Sequence, residues 1–196
     1  KSLLHMKSIG LSIVMCLATV LFTGCASLPP AAERVPTVAI DNTSGTTLGR
    51  AIDPLVNEHS GLSGFYALKE GIEAYAARLL LVQNADKSLD LQYYIWKDDL
   101  TGKTLLTQVL AAADRGVRVR LLLDDLDTAN EEDLLRVLDA HPNIEIRLFN
   151  PFANRGNRLL DFVTDPSRIN RRMHNKSLTA DNQATIFGGR NIGDEY

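Results

Sequence analysis

Between Leu89 and Phe149, three short runs rich in β-forming residues alternate with two helix-length segments. Leu89–Trp96 alternates weakly and predicts a strand. Thr104–Arg115 predicts a helix closed by Gly116. Val117–Asp124 is almost continuously apolar, interrupted only by Arg118 and Arg120, as in a strand buried inside a parallel sheet. Glu131–Ala140 predicts another helix and Ile144–Phe149 another strand. That order implies an α/β fold, a mainly parallel sheet flanked by helices. Before it, Leu68, Ile72, Tyr75, Leu79 and Val82 recur at helical spacing and predict a helix over Phe65–Ala85. After it, Arg172–Thr179 and Gln183–Gly188 read as two strands joined at Ala180-Asp181-Asn182.

The start of the chain has a different chemistry. Lys7 precedes the apolar run Ile9–Phe22, short for a membrane-spanning helix and fitting for a secretory signal over residues 1–24, with an uncleaved membrane anchor as the alternative. Phe22-Thr23-Gly24-Cys25 resembles a bacterial lipobox, in which Cys25 is acylated and becomes the new N-terminus. Phe22 stands where Leu is usual in such signals. Ala26, rather than Asp, favours the outer membrane, so the expected location is the cell envelope, lipid-anchored and facing the periplasm. Residues 25–50 are rich in Pro, Ala, Thr, Ser and Gly and read as a flexible tether. Ordered structure is expected over residues 51–196.

Charge and cysteine content narrow the functional classes. Removing the leader takes away Lys1 and Lys7 and no acid, moving the net charge from −3 to −5. Bulk attraction to nucleic acid is therefore not expected. Cys16 and Cys25 are the only two cysteines, which excludes a disulfide framework and a Cys-rich zinc module.

The chemistry concentrates in His174-Asn-Lys176-Ser-Leu-Thr-Ala-Asp181, followed by Gly188-Gly189-Arg190-Asn191. On a strand His174 and Lys176 would project from one face. An imidazole beside an ammonium is a poor pair for a buried core but suits a phosphate. The lysine holds an oxyanion while a neutral imidazole nitrogen attacks phosphorus. Gly188 and Gly189 would let the backbone approach a ligand, and the Asn191 amide could add a donor.

The pattern His-x-Lys, four residues, Asp, six residues, Gly-Gly-x-Asn occupies 18 residues and resembles the phospholipase D superfamily motif. Leu89–Trp96, Asp114–Asp125, Arg147–Phe152 and Gly188–Tyr196 resemble its cardiolipin synthase branch, in particular secreted or lipid-anchored members. The resemblance implies a phosphatidyltransferase working through a phosphohistidine on glycerophospholipids, with phosphatidylglycerol the expected substrate. His174 would be the nucleophile or general acid, Lys176 and Asn191 would bind phosphoryl oxygens, and Asp181 would hold the hairpin. No metal or other cofactor is implied. The family's site needs two such motifs, and this sequence holds one, so one lobe of a bilobal enzyme is expected. The second would come from a missing lobe or a second subunit. Two alternatives stand beside this: a phosphodiesterase or nuclease with a site shared across a dimer, and an inactive lipid-binding envelope lipoprotein.

Other residues carry weaker expectations. His5 lies in the leader, while His59 and His141 suit surface turns. Asp124, Asp125 and Asp127 suit a solvated helix cap, with an acidic metal site as the alternative. Five arginines between Asn154 and Arg172 suggest a loop that is either simply solvated or attracts anionic headgroups. Leu159, Leu160, Phe162 and Val163 in that loop suit acyl-chain contact or core. Tyr93, Tyr94 and Trp96 suit sheet core.

Overall fold

The computed structural model describes Leu28 and residues 36–196. The expected signal segment and Cys25 lie outside the described residues. Five strands form one sheet in the order β3-β2-β1-β4-β5. They are β1 (Ser88–Tyr93), β2 (Arg118–Asp124), β3 (Ile144–Phe149), β4 (Lys176–Ala180) and β5 (Ala184–Phe187). β1, β2 and β3 are parallel, whereas β4 pairs antiparallel with both β1 and β5. The expected α/β architecture is present, with a parallel half and an antiparallel hairpin on one sheet.

The helices are α1 (Thr47–Glu58), α2 (Gly71–Asn84), α3 (Leu100–Asp114), α4 (Glu132–Asp139), α5 (Leu159–Thr164) and α6 (Pro166–Ile169). Period-2 alternation puts Leu89, Leu91 and Tyr93 of β1 beside Val119, Leu121 and Leu123 of β2 on one buried face. Val82 of α2, Leu105 and Val109 of α3, and Leu135 and Leu138 of α4 complete that core. Burying each of these side chains contributes roughly 1.5–3 kcal/mol. The opposite face is polar. There Arg120 pairs with Asp90, its cross-strand neighbour, and donates to the Thr37 hydroxyl at 3.1 Å.

Several elements depart from the expected boundaries: the helix expected over Phe65–Ala85 begins only at Gly71, and the strand expected over Leu89–Trp96 ends at Tyr93. The expected tether includes ordered chain, because α1 begins at Thr47, and Thr43 and Thr46 are buried. The Thr46 side chain accepts the Gly49 N–H at 3.0 Å, and Gln183 donates to the Thr43 hydroxyl at 3.0 Å. Threonines that look like linker in composition are here a helix cap and a packing contact. The segment Asn154–Arg172 folds into α5 and α6 rather than an open loop.

Candidate functional site

The site forms where β1 ends and β4 begins. β4 starts at Lys176, so His174 precedes the strand instead of lying on it. Both side chains nevertheless lie against the Tyr94 ring. The His174 ring centroid is 4.7 Å from that of Tyr94, and the Lys176 Nζ is 4.9 Å from the same ring. Lys176 is buried, and its ammonium donates to the His174 carbonyl at 3.0 Å. It forms no ion pair among the described residues. Desolvation therefore lowers its pKa from the ordinary lysine value. An ammonium has three donors, so this one retains capacity for an oxyanion. The His174 ring is exposed beside it.

Asn191 is brought to the same end of β1. Its Oδ1 accepts the Ile95 N–H at 3.1 Å, which leaves the amide donors unbonded among the described residues. Ile192 continues the attachment: its N–H donates to the Ile95 carbonyl at 3.2 Å, and its carbonyl accepts from Lys97 at 2.9 Å. Gly188 and Gly189 are exposed, and a Cβ at either would meet nothing within 4 Å. The chain itself leaves that space open.

Asp181 points away from this work. Its buried carboxylate accepts backbone N–H groups from Asp86 at 2.9 Å, Lys87 at 2.7 Å and Ser88 at 2.9 Å. The β4–β5 turn, in which Asp181 itself adopts a left-handed φ of 51°, is thereby tied to the start of β1.

Asp124 and Asp125 are not a solvated cap. Both are buried at the end of β2. Asp124 does cap the turn after the strand, accepting from Leu126 at 2.9 Å, but it also accepts from Met173 N–H at 2.8 Å and Arg172 at 3.0 Å. Asp125 accepts from Phe152 N–H at 2.7 Å and from Arg155 at 2.8 Å. With their oxygens bound to N–H donors, these carboxylates are not arranged to ligate a metal, and no acidic or His/Cys cluster among the described residues is. Asp127 pairs with Lys97 at 3.0 Å.

The arginine-rich segment is also turned inward. Arg155 and Arg158 pair with Asp125 and Glu132, Arg168 with Asp161 and Asp165, and Arg172 with Asp124. Arg171 alone of the five forms no ion pair among the described residues. The expected attraction of anionic headgroups by this loop loses its basis, since four of its five charges are neutralised locally. Leu159, Leu160, Phe162 and Val163 are exposed rather than core, although Phe162 lies against Phe152 at 5.7 Å. His141 is structural: Nε2 lies 3.2 Å from Asp114, and Nδ1 accepts the Asn143 N–H. His59 is exposed just after α1.

Sequence reasoning missed Tyr94, Asp124 and Arg172. Tyr93 and Trp96 are core, packed edge to face at 5.4 Å, but the intervening Tyr94 faces His174. Tyr94 lies just past the end of β1, in a bend, so the strand pattern gave no signal for its direction. Asp124 and Arg172 lie 48 residues apart, and nothing local in the sequence joins them.

The family model "Cardiolipin synthase, PLD-like domain" matches residues 79–196. The chain is 55% identical over 149 residues to cardiolipin synthase C of Escherichia coli (strain K12), covering 76% of this chain and 32% of that protein. It is 29% identical over 132 residues to a cardiolipin synthase of Staphylococcus aureus (strain N315), covering 65% of this chain and 24% of that one. NucT from Helicobacter pylori superposes with a TM-score of 0.48 at 19% identity, covering 67% of this chain and 74% of that chain. This chain thus spans about a third or less of the length of those two synthases. With that family model matching residues 79–196, more than half of the chain, the protein belongs to the cardiolipin synthase family of phospholipase D-like domains.

Proposed function

We propose that this chain supplies one half-site of a phosphatidyltransferase that joins glycerophospholipids through a phosphohistidine. The observation that supports this best is the pairing on Tyr94 of an exposed imidazole with a buried lysine that forms no ion pair. In the first step a His174 ring nitrogen attacks phosphorus and the P–O bond to the leaving glycerol breaks. The leaving oxygen takes a proton from an acid supplied by the second motif. A hydroxyl of the acceptor lipid then gives its proton to the deprotonated second-motif group and attacks the phosphohistidine, and the P–N bond breaks, returning His174 to its neutral form. Lys176 and the Asn191 amide stabilise the phosphoryl oxygens, whose charge grows as the nucleophile approaches. The substrates are phosphatidylglycerol or a related glycerophospholipid. An acylated Cys25 would hold the site at the periplasmic surface of the outer membrane, each buried CH₂ adding about 0.8 kcal/mol.

The test is to express the full-length coding sequence, supply phosphatidylglycerol vesicles and quench in alkali, where a phosphohistidine survives. Mass spectrometry should find an adduct on His174 in the wild type and none in His174→Ala. Undiminished cardiolipin formation by the folded His174→Ala protein would overturn the assignment. Hydrolysis to phosphatidic acid without transfer would move the protein to the phosphodiesterase reading.

A further inference from the structure

A buried charge on α2 takes no part in the mechanism above. Arg78 is 4% exposed. Its Nε donates to the Tyr93 hydroxyl at 3.0 Å and its Nη1 to the Ala74 carbonyl at 2.8 Å. Nη2 has no hydrogen bond among the described residues, and no carboxylate there forms an ion pair with the group. A guanidinium largely shielded from water, with a free donor nitrogen and no counter-charge among the described residues, is suited to receive an anion from outside the chain.

Arg78 borders a cavity of about 270 Å³. Tyr75, Thr101, Arg190, Asn191 and Asp194 line the same space. Arg190 donates to the carbonyls of Leu68 and Lys69 and forms no ion pair among the described residues. Asp194 accepts the Thr101 N–H at 2.9 Å and pairs with neither arginine. Tyr196 lines the space as well, its terminal carboxylate lying at Gly71, and neither arginine forms an ion pair with it or with Asp194 among the described residues. Arginine presents several N–H donors in a rigid fork suited to phosphate oxygens. Asn191 is shared with the His174–Lys176 site, which puts the cavity next to it.

We propose that Arg78, with Arg190, forms a second oxyanion subsite that takes a phosphate group other than the one attacked by His174. Its ligand chemistry is that of a phosphate ester, and its source is either the headgroup of the second phospholipid or free phosphate. The lipid assignment rests on the phosphatidyltransferase reading, whereas the anion subsite does not.

Inorganic phosphate is titrated into this 196-residue chain in detergent, with Trp96, its only tryptophan, as the fluorescence reporter. The His174→Ala, Lys176→Met double variant silences the motif site and should still bind phosphate. Adding Arg78→Met should weaken that binding by about tenfold or more, the effect expected of a lost charged hydrogen bond. Arg190→Gln, at a more exposed position, should weaken it several-fold and serves if Arg78→Met does not fold. Loss of all phosphate binding in the double variant would overturn the subsite, as would unchanged affinity after Arg78→Met or Arg190→Gln in a folded protein. Competition then identifies the source. Displacement of phosphate by phosphatidylglycerol nanodiscs but not by phosphatidylcholine nanodiscs supports the lipid headgroup, while displacement by neither overturns the lipid assignment alone. These readouts require no transfer activity, so failure of the enzymatic reading and failure of the subsite are separable.

Discussion

The buried carboxylate of Asp124 accepts the backbone N–H of Met173 at 2.8 Å, and so the end of β2 holds the residue next to His174. The same carboxylate binds Arg172 at 3.0 Å. Asp124→Ala leaves a buried backbone donor and a nearly buried guanidinium without their acceptor, and should destabilise the fold by about 3–5 kcal/mol. Asp124→Asn retains one acceptor oxygen and should lose less. Urea denaturation measures both, and the NMR signals of the His174 ring report whether the imidazole has moved. An Ala variant as stable as wild type would show that this contact anchors nothing.

Asp181→Ala removes the acceptor of three backbone N–H groups at the start of β1. The expected loss is about 3 kcal/mol or more, since each orphaned buried donor costs roughly 1–3 kcal/mol. Asp181→Asn should be milder, because asparagine tolerates the left-handed φ of 51° and keeps a carbonyl oxygen. Hydrogen exchange at Lys87 and Ser88 should accelerate in both variants, most in Asp181→Ala.

Lys176 is held below the ordinary lysine pKa of 10.5 by desolvation. Folding therefore disfavours its charged form, and the unfolded chain binds more protons between the depressed folded pKa and the ordinary value. Stability should rise with pH across that window. Lys176→Met should abolish that rise and be at least as stable as wild type at pH 7, while losing phosphate affinity. A Lys176→Met protein clearly less stable at neutral pH would show that the ammonium is a structural group.

Glu131 is pushed up to about 7 by burial, with the carboxylates of Asp127 and Asp98 adding to the effect. Its unfolded pKa is lower, so the folded chain binds more protons between the two values. Wild-type stability should fall as pH rises from about 4.5 to about 7. Glu131→Gln should remove most of that fall, about 1–2 kcal/mol after solvent screening. Thermal denaturation of both proteins across this range checks the slope, and parallel curves would contradict the assignment.

The strands were legible where the chemistry is local. Val119, Leu121 and Leu123 sit two residues apart and are buried together, as period-2 alternation requires. The turn at Asp181-Asn182 was legible because both residues tolerate the positive φ they adopt. The motif spacing was enough to name His174, Lys176, Asp181 and Asn191 as candidates, and the fold brings His174 and Lys176 onto one aromatic ring. The packing of Thr43 and Thr46 was not legible, since threonine is as common in linkers as in caps.

What the sequence determined by itself was the α/β alternation and the short motif, because both depend on residue type and on spacings within one strand or one turn. What only the tertiary structure decided was the partner of each charge. The Asp124 carboxylate meets the Arg172 guanidinium across 48 residues, and the Asp181 carboxylate meets the Lys87 backbone N–H across 94. Four of the five arginines that suggested a cationic surface are paired inward, whereas Arg78 is buried with no carboxylate partner among the described residues. Coulomb energy and desolvation depend on separation and burial in space, and those distances exist only once the chain has folded.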